Sequence, residues 1–435
     1  MSDDTLGEDA AVEQSSPATG RSLPARYVAG LIGLALLAVL PVPSLLGVES
    51  VTLFGTVTIT FGLSSYQLLQ VAGAFYFAMF AMSWDVVSGY TGQISFGHGF
   101  FFALGGYTSA LLNLTYGVAP LAAIPAGVAV AALGGVVIGV PALRLRGPYL
   151  SLVTLVAPQV LLSVFILFSG TFGGELGLSS PDNLLGVGLG NPVLVYYIAF
   201  ALFVAILAVL LAVTRSSAGA VFTAIREDED AVAAAGLNPA KFKTFAFVLS
   251  AAVGGLAGAV LVHTPVGNPQ PSQLLATQVS IEVIIAAILG GMGTIVGAAI
   301  GGLIVYLLPE YLNTVEYVVP VLDAPVSEID FLLFAVIALV LLFVMPGGVL
   351  RAALRIARDR LSDRRGEGVA ADGGRRARTP VEQVRERWRS AVERTLGRGP
   401  DRERRTTDGR RSDGRRADDR DANRGHENGG DTDEH

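Results

Sequence analysis

The sequence predicts an all-α, polytopic transmembrane bundle. Three observations carry that reading. Several uninterrupted apolar runs reach roughly 20 residues, the length a helix needs to cross a hydrocarbon core. The chain is 51% hydrophobic but only 16% charged, which fits membrane helices and excludes a water-soluble core. Between Tyr27 and Leu350 the basic residues are Arg144, Arg146, Arg215, Arg226, Lys241 and Lys243, and all fall between apolar runs. The absence of cysteine removes disulfides, thiolate metal sites and cysteine nucleophiles together.

Residues 1–24 are acidic and polar, with Asp3, Asp4, Glu8, Asp9 and Glu13, and predict a disordered cytoplasmic tail. A negative leading region without a small-residue cleavage site is not a signal peptide, so the first apolar run is expected to stay in the protein. That run covers about 27–46, and alternation from Val57 to Phe61 after Gly55 suggests a small hairpin beyond it. Further runs lie at about 66–87, 96–115, 120–143, 149–169, 192–213, 244–263, 277–291, 295–312 and 330–346. They make about ten spans in a membrane domain of 25–350, with both termini on one side. The basic residues all fall in loops that this topology assigns to the cytoplasm, while Glu49, Glu175, Asp182, Glu316, Asp323 and Glu328 fall opposite.

Small residues at four-residue spacing let helix backbones approach closely in lipid, where hydrophobicity supplies no force between helices. Gly293, Gly297 and Gly301 form one such ladder, and Gly254 with Gly258 and Gly135 with Gly139 form two more. Packing within one subunit is the simpler reading for each. Residues 351–435 are dense in Arg, Asp, Glu and Gly and predict a mostly disordered cytoplasmic tail. Within it, the Thr379–Glu382 capping box leads into Val381, Val384, Trp388 and Val392 on one face, an amphipathic helix over 379–396.

The one long charged interruption between the first and last apolar runs is the stretch 215–243. Glu227, Asp228, Glu229 and Asp230 lead into Ala231–Ala235 and stop at Gly236, with Pro239 beyond. Acidic residues suit the positive end of a helix dipole and Gly is the usual residue just past a helix end, so a short terminated helix is expected there. A second polar feature lies inside the spans. Asp85, Gln93, Ser95 and His98 cluster among Gly89, Gly92, Gly97 and Gly99, which predicts a non-helical break between two spans. Such a break survives at membrane depth only where it is buried in protein or lines a cavity. His98 alone reads as an interhelical hydrogen-bonding residue, while the cluster points to a pathway lining. Glu282 sits in an apolar run, where a carboxylate costs about 2.5–3.5 kcal/mol at mid-depth, so it must face protein or water. Asn113 and Thr115 form a glycosylation sequon too close to a span end to be used.

Taken in order, GYTGQISFGHGFFFALGGYTSALL, TFGGELGL, AIREDEDAVAAAGLNPAKFKTFAFVLSAAVGGLAGAV and SIEVIIAAILGGMGTIVGAAIGG resemble the permease of branched-chain amino-acid ABC importers, LivM-type subunit, over about 70–350. The third block is the most specific. The resemblance implies a cytoplasmic coupling helix over Arg226–Leu237, including Glu227, Asp228, Glu229, Ala233 and Ala234 with Gly236 as its turn. The GQxSxGH pattern, met by Gln93, Ser95 and His98, and the SIE pattern, met by Glu282, are typical of that subunit type; with Asp85 these residues are the ones assigned to the substrate pathway. At Asp85 the family more commonly has Asn.

The same resemblance implies the partners: a homologous second permease, two ABC ATPase subunits and an extracellular solute-binding protein, all at a lipid bilayer and none a nucleic acid. ATP and Mg2+ would bind the ATPases and no cofactor this chain, since neither Lys241 nor Lys243 lies in a GxxxxGK[ST] phosphate loop. Neither HExxH nor a Gly-x-Ser-x-Gly elbow is present, so no enzyme chemistry is visible. The loop 170–191, with Gly173, Gly174 and Gly177, is the expected contact for the binding protein. Urea or amides are alternative cargoes of similar permeases. An ion-coupled transporter would use Asp85, His98 and Glu282 and leave the coupling helix without a role. A non-transporting scaffold would leave the polar cluster without one.

Overall fold

The computed structural model describes residues 25–46, 50–53, 57–60, 62–143, 148–315, 317–319, 324–345 and 347–356. The acidic N-terminal tail, Arg144, Arg146 and the charged segment after 356, with the helix expected at 379–396, lie outside the described residues.

The chain opens with α1 (Ala25–Val39) and the single turn α2 (Val42–Leu45), followed by an antiparallel hairpin of β1 (Ser50–Leu53) and β2 (Val57–Thr60) in which Val51 faces Ile59. The hairpin falls where the alternating residues place it. Next come α3 (Ser65–Trp84), a π-helical turn (Asp85–Gly89), α4 (Gly99–Tyr116), α5 (Pro120–Ala142) and α6 (Pro148–Leu167). After the short α7 (Ser169–Phe172) a long span, α8 (Pro192–Thr214), leads to α9 (Ser217–Glu227), α10 (Glu229–Ala234) and α11 (Pro239–Leu261). The final group is α12 (Pro271–Leu274), α13 (Thr277–Gly290), α14 (Ile295–Asn313), a small β3 (Val318–Val319) and β4 (Ala324–Pro325) pair, and α15 (Asp330–Val344).

Each of the ten apolar runs falls on helical residues, and among the described residues 7 helices are long and apolar enough to cross a membrane, or up to 8 if the bent pair Asp330–Val344 and Val349–Ile356 is one span. Hydropathy marks an apolar run but not where its helix ends: α1 and α15 stop at 15 residues each, about 22 Å at 1.5 Å per residue against a core of about 30 Å. Gly, Ser, Thr and Asn along α4 dilute its apolarity. The chain is a multi-pass membrane protein.

The central span is α3, whose membrane window is 94% buried, against 22% for that of α6. Its start is fixed by a capping box, with the Gln67 amide donating to Ser64 Oγ at 3.2 Å and the Ser64 amide to Gln67 Oε1 at 2.9 Å. Phe75 packs against Tyr196 and Phe203 of α8, ring centroids 5.3 and 5.1 Å apart. At the end of α1, Tyr196 and Tyr197 hydroxyls donate to the Leu37 and Ala38 carbonyls, in the last turn, where carbonyls lack an i+4 amide of the helix.

The glycine ladders pack inside this chain. Gly258 lies so close to the Phe102 carbonyl that a side chain would overlap it, Gly135 faces Ala251, and Gly301 touches the Ala286 carbonyl, joining α11 to α4, α5 to α11 and α14 to α13. Gly254 is looser, since a Cβ added there would stand 3.2 Å from Ser83 Oγ, and one at Gly297 would meet Thr294 Oγ1 and the Gly290 carbonyl. Gly293 is not a member of its ladder. It precedes α14 with φ +77 in the turn that joins α13 to α14.

Charge separates along the bundle. Arg226 and Lys243 meet the ends of the π-helical turn and α5 through Gly89 and Leu143, beside the end of α8. Asp182, Glu310 and Asp330 gather at the opposite end, where Asn113, Tyr66 and Asn313 contact them.

Candidate functional site

Two polar features meet at the basic end, the broken span and the α9–α10 segment. In the first, α3 widens into the π-helical turn, reverses at Gly92 with φ +73, and runs without helix to α4. The exposed backbone of this break is satisfied by neighbouring side chains, as membrane depth requires. Trp84 Nε1 donates to the Ser95 carbonyl at 2.7 Å, Ser88 Oγ donates to the Gln93 carbonyl and accepts from the Ser95 amide, and the Phe96 and Gly99 amides donate to Thr154 and Ser280 hydroxyls.

His98, fully buried, has both ring nitrogens in use. Ser250 Oγ spends its proton on the Ser83 carbonyl at 2.5 Å, so it can only accept from His98 Nε2–H at 2.6 Å. Nδ1 then accepts from Ser95 Oγ–H at 3.0 Å. This arrangement fits a neutral imidazole that ties α4 to α11 and thereby to α3. Asp85 is also fully buried, and its Oδ1 accepts from the Gly293 amide at 2.7 Å.

Of the five residues assigned to the pathway, Asp85, Ser95 and His98 lie in the packed interior, while Gln93 and Glu282 are half-buried. Glu282 Oε1 accepts from Gln278 at 2.8 Å, and beside it Gln159 of α6 donates to Thr277 at 2.6 Å. Close to Gln93 and Glu282 in the chain, Ile94, Phe96, Ile281 and Met292 are exposed apolar side chains. Gln278 meets Glu282 through the i, i+4 spacing of one helix, whereas Ser250 and Gln159 carry no sequence signal of their own and only the fold brings them to the site.

The second feature corrects the expected single helix over Arg226–Leu237. Asp228 takes an extended conformation, φ −158 and ψ 102, which ends α9 at Glu227 and starts α10. Its carboxylate accepts from the Ala231 amide at 2.9 Å as the cap. Glu229 and Asp230 occupy the first turn, and the helix ends at Gly236, φ +83, where the Gly236 amide donates to Ala233 and the Leu237 amide to Val232. Val232 is buried, and Ala231, Ala233 and Ala234 are exposed. The charged loop is also shorter than 215–243. Asn238 caps α11 and Pro239 begins it, so Lys241 and Lys243 are helical. Lys243, 5% exposed in its side chain, pairs with Glu229 at 2.7 Å and anchors α10 to α11.

At the opposite end a histidine unremarked in the sequence joins three segments. The Asp182 carbonyl can only accept, so His263 Nδ1–H donates to it at 2.7 Å and Nε2 accepts from Ser109 Oγ at 2.8 Å. Asn113 spends its amide on Val118 and Asp182, which leaves the sequon asparagine no free side chain to modify. Burial holds the His263 pKa below its ordinary value, opposed by the nearby Asp182. A lowered folded-state pKa contributes stability that is full above the unfolded value, about 6.5, and lost as pH falls below it. Thermal inactivation in detergent is expected to come at lower temperature at pH 5 than at pH 7.5, and His263→Gln should remove that part of the difference. An unchanged pH dependence in the variant would refute the assignment.

Among the described residues no three His, Cys, Asp or Glu side chains are grouped to hold a metal ion. The family model for the branched-chain amino acid transport system permease component matches residues 67–345. The LivM permease protein of the high-affinity branched-chain amino acid transport system of Salmonella typhimurium is 32% identical over 235 residues, 48% of this chain and 55% of the relative. The probable LivM of Methanocaldococcus jannaschii is 27% identical, over 56% of this chain and 73% of its own length. The LivH permease protein of S. typhimurium is 26% identical over 63% of this chain and 91% of its own. The chain thus spans about half the length of the Salmonella LivM it matches. No solved structure matches.

Proposed function

This chain belongs to the family of branched-chain amino acid transport system permease components, and from that premise we propose that it is a transmembrane subunit of an ATP-driven importer of branched-chain amino acids. The basic end then faces the cytoplasm, by the usual bias of Lys and Arg, and each of the ten apolar runs crosses once, an even number that puts both termini on that side. A second permease covers the face carrying Gln93, Glu282, Ile94 and Ile281, because a carboxylate held against lipid would be costly. The pathway runs between the two permeases. Gln93 and Glu282 line it, and Asp85, Ser95 and His98 hold the shape of the break behind them.

The observation that carries this reading is the α9–α10 segment. A six-residue helix, capped at both ends and pinned by the Glu229–Lys243 pair, presents Ala231, Ala233 and Ala234 outward. Small exposed side chains on a rigid projection suit a groove on a partner. That partner is an ABC ATPase, one of two in the complex, which holds ATP and Mg2+; this chain supplies the route and no ATPase chemistry. Substrate arrives from an external binding protein at the loop after α6, where Leu176, Leu185 and Leu189 are exposed. Closure of the ATPase pair moves the coupling segments and alternates access.

The test is copurification and leucine uptake in proteoliposomes with the binding protein. Wild type is expected to bring down an ATP-hydrolysing partner. Ala234→Asp with Gly236→Pro should insert normally yet lose that partner and at least about 90% of uptake, since Pro cannot adopt φ +83 or donate to Ala233. Wild type that binds no ATPase, or uptake that follows an ion gradient alone, would refute the reading.

A further inference from the structure

Arg226 keeps 35% of its side chain exposed, yet its guanidinium finds a distant partner within this chain. Its Nη1 donates to the Gly89 carbonyl at 2.9 Å, across 137 residues, while Nη2 and Nε engage Glu227 at 2.9 and 3.3 Å. Gly89 is the last residue of the π-helical turn. The stem of Arg226 lies on Gly92, where an added Cβ would stand 3.0 Å from its Cγ, and the guanidinium lies on Gly293, where a Cβ would stand 2.8 Å from Nη1. Gly293 in turn donates its amide to Asp85 Oδ1, and Gly89 leaves no room for a Cβ between Asp85 and the Gly293 amide. Five residues from three separate elements thus close on one another: the break, the α13–α14 turn and the last turn of α9.

The position of Arg226 in the chain gives this cluster its meaning. Arg226 stands two residues before Asp228, where the backbone leaves α9 for α10. Any displacement of α10 by a partner reaches α9 through that joint and meets Arg226 within one turn. On the far side of Arg226 is the peptide unit that leads, through the Gly92 reversal, to Gln93 and Ile94. We propose that Arg226 is the positioning residue that transmits movement of the coupling segment to the break and the α13–α14 turn, with Asp85 as the strut that keeps the turn against the break. This rests on the importer reading. A planar guanidinium suits the task because its separate N–H groups bond in two directions at once, which a lysine ammonium on a flexible stem does with less fixed geometry.

The test uses the assembled complex in proteoliposomes, comparing Arg226→Ala and Arg226→Lys with wild type. Three quantities are read: copurification of the ATPase, substrate taken up per ATP hydrolysed, and maleimide labelling of Ile94→Cys with and without ATP and vanadate. The chain has no cysteine of its own, so the label on this subunit is unique, and Ile94 is 45% exposed. Arg226→Ala is expected to copurify with the ATPase while uptake per ATP falls at least tenfold and nucleotide no longer changes the labelling; Arg226→Lys should fall between. A merely structural role would lower complex yield without altering the ratio. Loss of the ATPase from Arg226→Ala would make Arg226 a docking residue and overturn the proposal, as would a wild-type ratio and wild-type labelling. A wild-type chain that brings down no ATPase would sink the importer reading and this inference with it.

Discussion

Gly258→Ala should leave little folded protein, whereas Gly254→Ala, one turn earlier on the same helix, should be nearly silent. The four-residue spacing makes the two glycines look equivalent. Their surroundings do not. A Cβ at 258 would overlap the Phe102 carbonyl oxygen, which is helix backbone and cannot turn aside, whereas a Cβ at 254 would stand 3.2 Å from Ser83 Oγ, which can shift slightly. Separating α11 from α4 enough to admit the methyl group would also pull His98 away from Ser250. Overpacking of this kind costs about 1–3 kcal/mol and more where backbone must move, so a loss above about 3 kcal/mol is expected at 258. At 254 the expected cost is below about 1 kcal/mol. Gly30→Ala, with nothing within 4 Å, is the control. Yield of monodisperse protein in detergent and its thermal midpoint would decide it, and equal losses at 254 and 258 would show that the packing assigned here is wrong.

The second large effect is asymmetric. Glu229 and Lys243 form one pair, yet removing the more exposed partner should do more harm. Lys243 is 5% exposed in its side chain and Glu229 34%. In Glu229→Ala the ammonium stays buried with only the Leu143 carbonyl at 3.5 Å beside it, and stranding a buried charge costs about 3–5 kcal/mol. In Lys243→Met the thioether fills the channel and the carboxylate is left partly in water, so the cost is nearer the worth of a charged hydrogen bond, about 1.5–3 kcal/mol. Both changes release α10, so both should weaken ATPase copurification. Thermal midpoints in the order wild type, Lys243→Met, Glu229→Ala are expected, and the reverse order of the two variants would overturn the burial argument.

Much of the fold is legible because lipid imposes a simple rule on composition, and every apolar run lies on a helix. Helix ends obey other rules. The Asn238–Pro239 start of α11 is a plain cap-and-proline signal, yet the two lysines that follow read as loop charge, because the partner that lets Lys243 sit inside, Glu229, is across a turn. Gly293 keeps the spacing of a ladder, and only its left-handed backbone shows that it belongs to a turn. The polar cluster around His98 is visible as a cluster, but its chemistry is set by residues far away in the chain, Ser250 for His98, Gly293 for Asp85 and Arg226 for Gly89. One-dimensional patterns report what a residue needs; they do not name the distant group that meets the need.

The enclosure of α3 carries a consequence for how the protein is made. Its window has a mean hydropathy of 1.4, the lowest of the seven spans, and the greatest burial, 94%, whereas α8 has the highest, 2.8, with 33% buried. A span surrounded by protein is free of the demand for lipid solubility, and α3 has traded apolar surface for Ser83, Asp85 and Ser88. The chain emerges from the ribosome in the opposite order to its needs: α3 is synthesised more than a hundred residues before the α8 ring cluster that receives Phe75. Until α8 and α11 arrive, α3 is a weakly hydrophobic helix with its polar side uncovered, so its residence in the bilayer depends on the insertion machinery sheltering it beside the translocon while its neighbours are made.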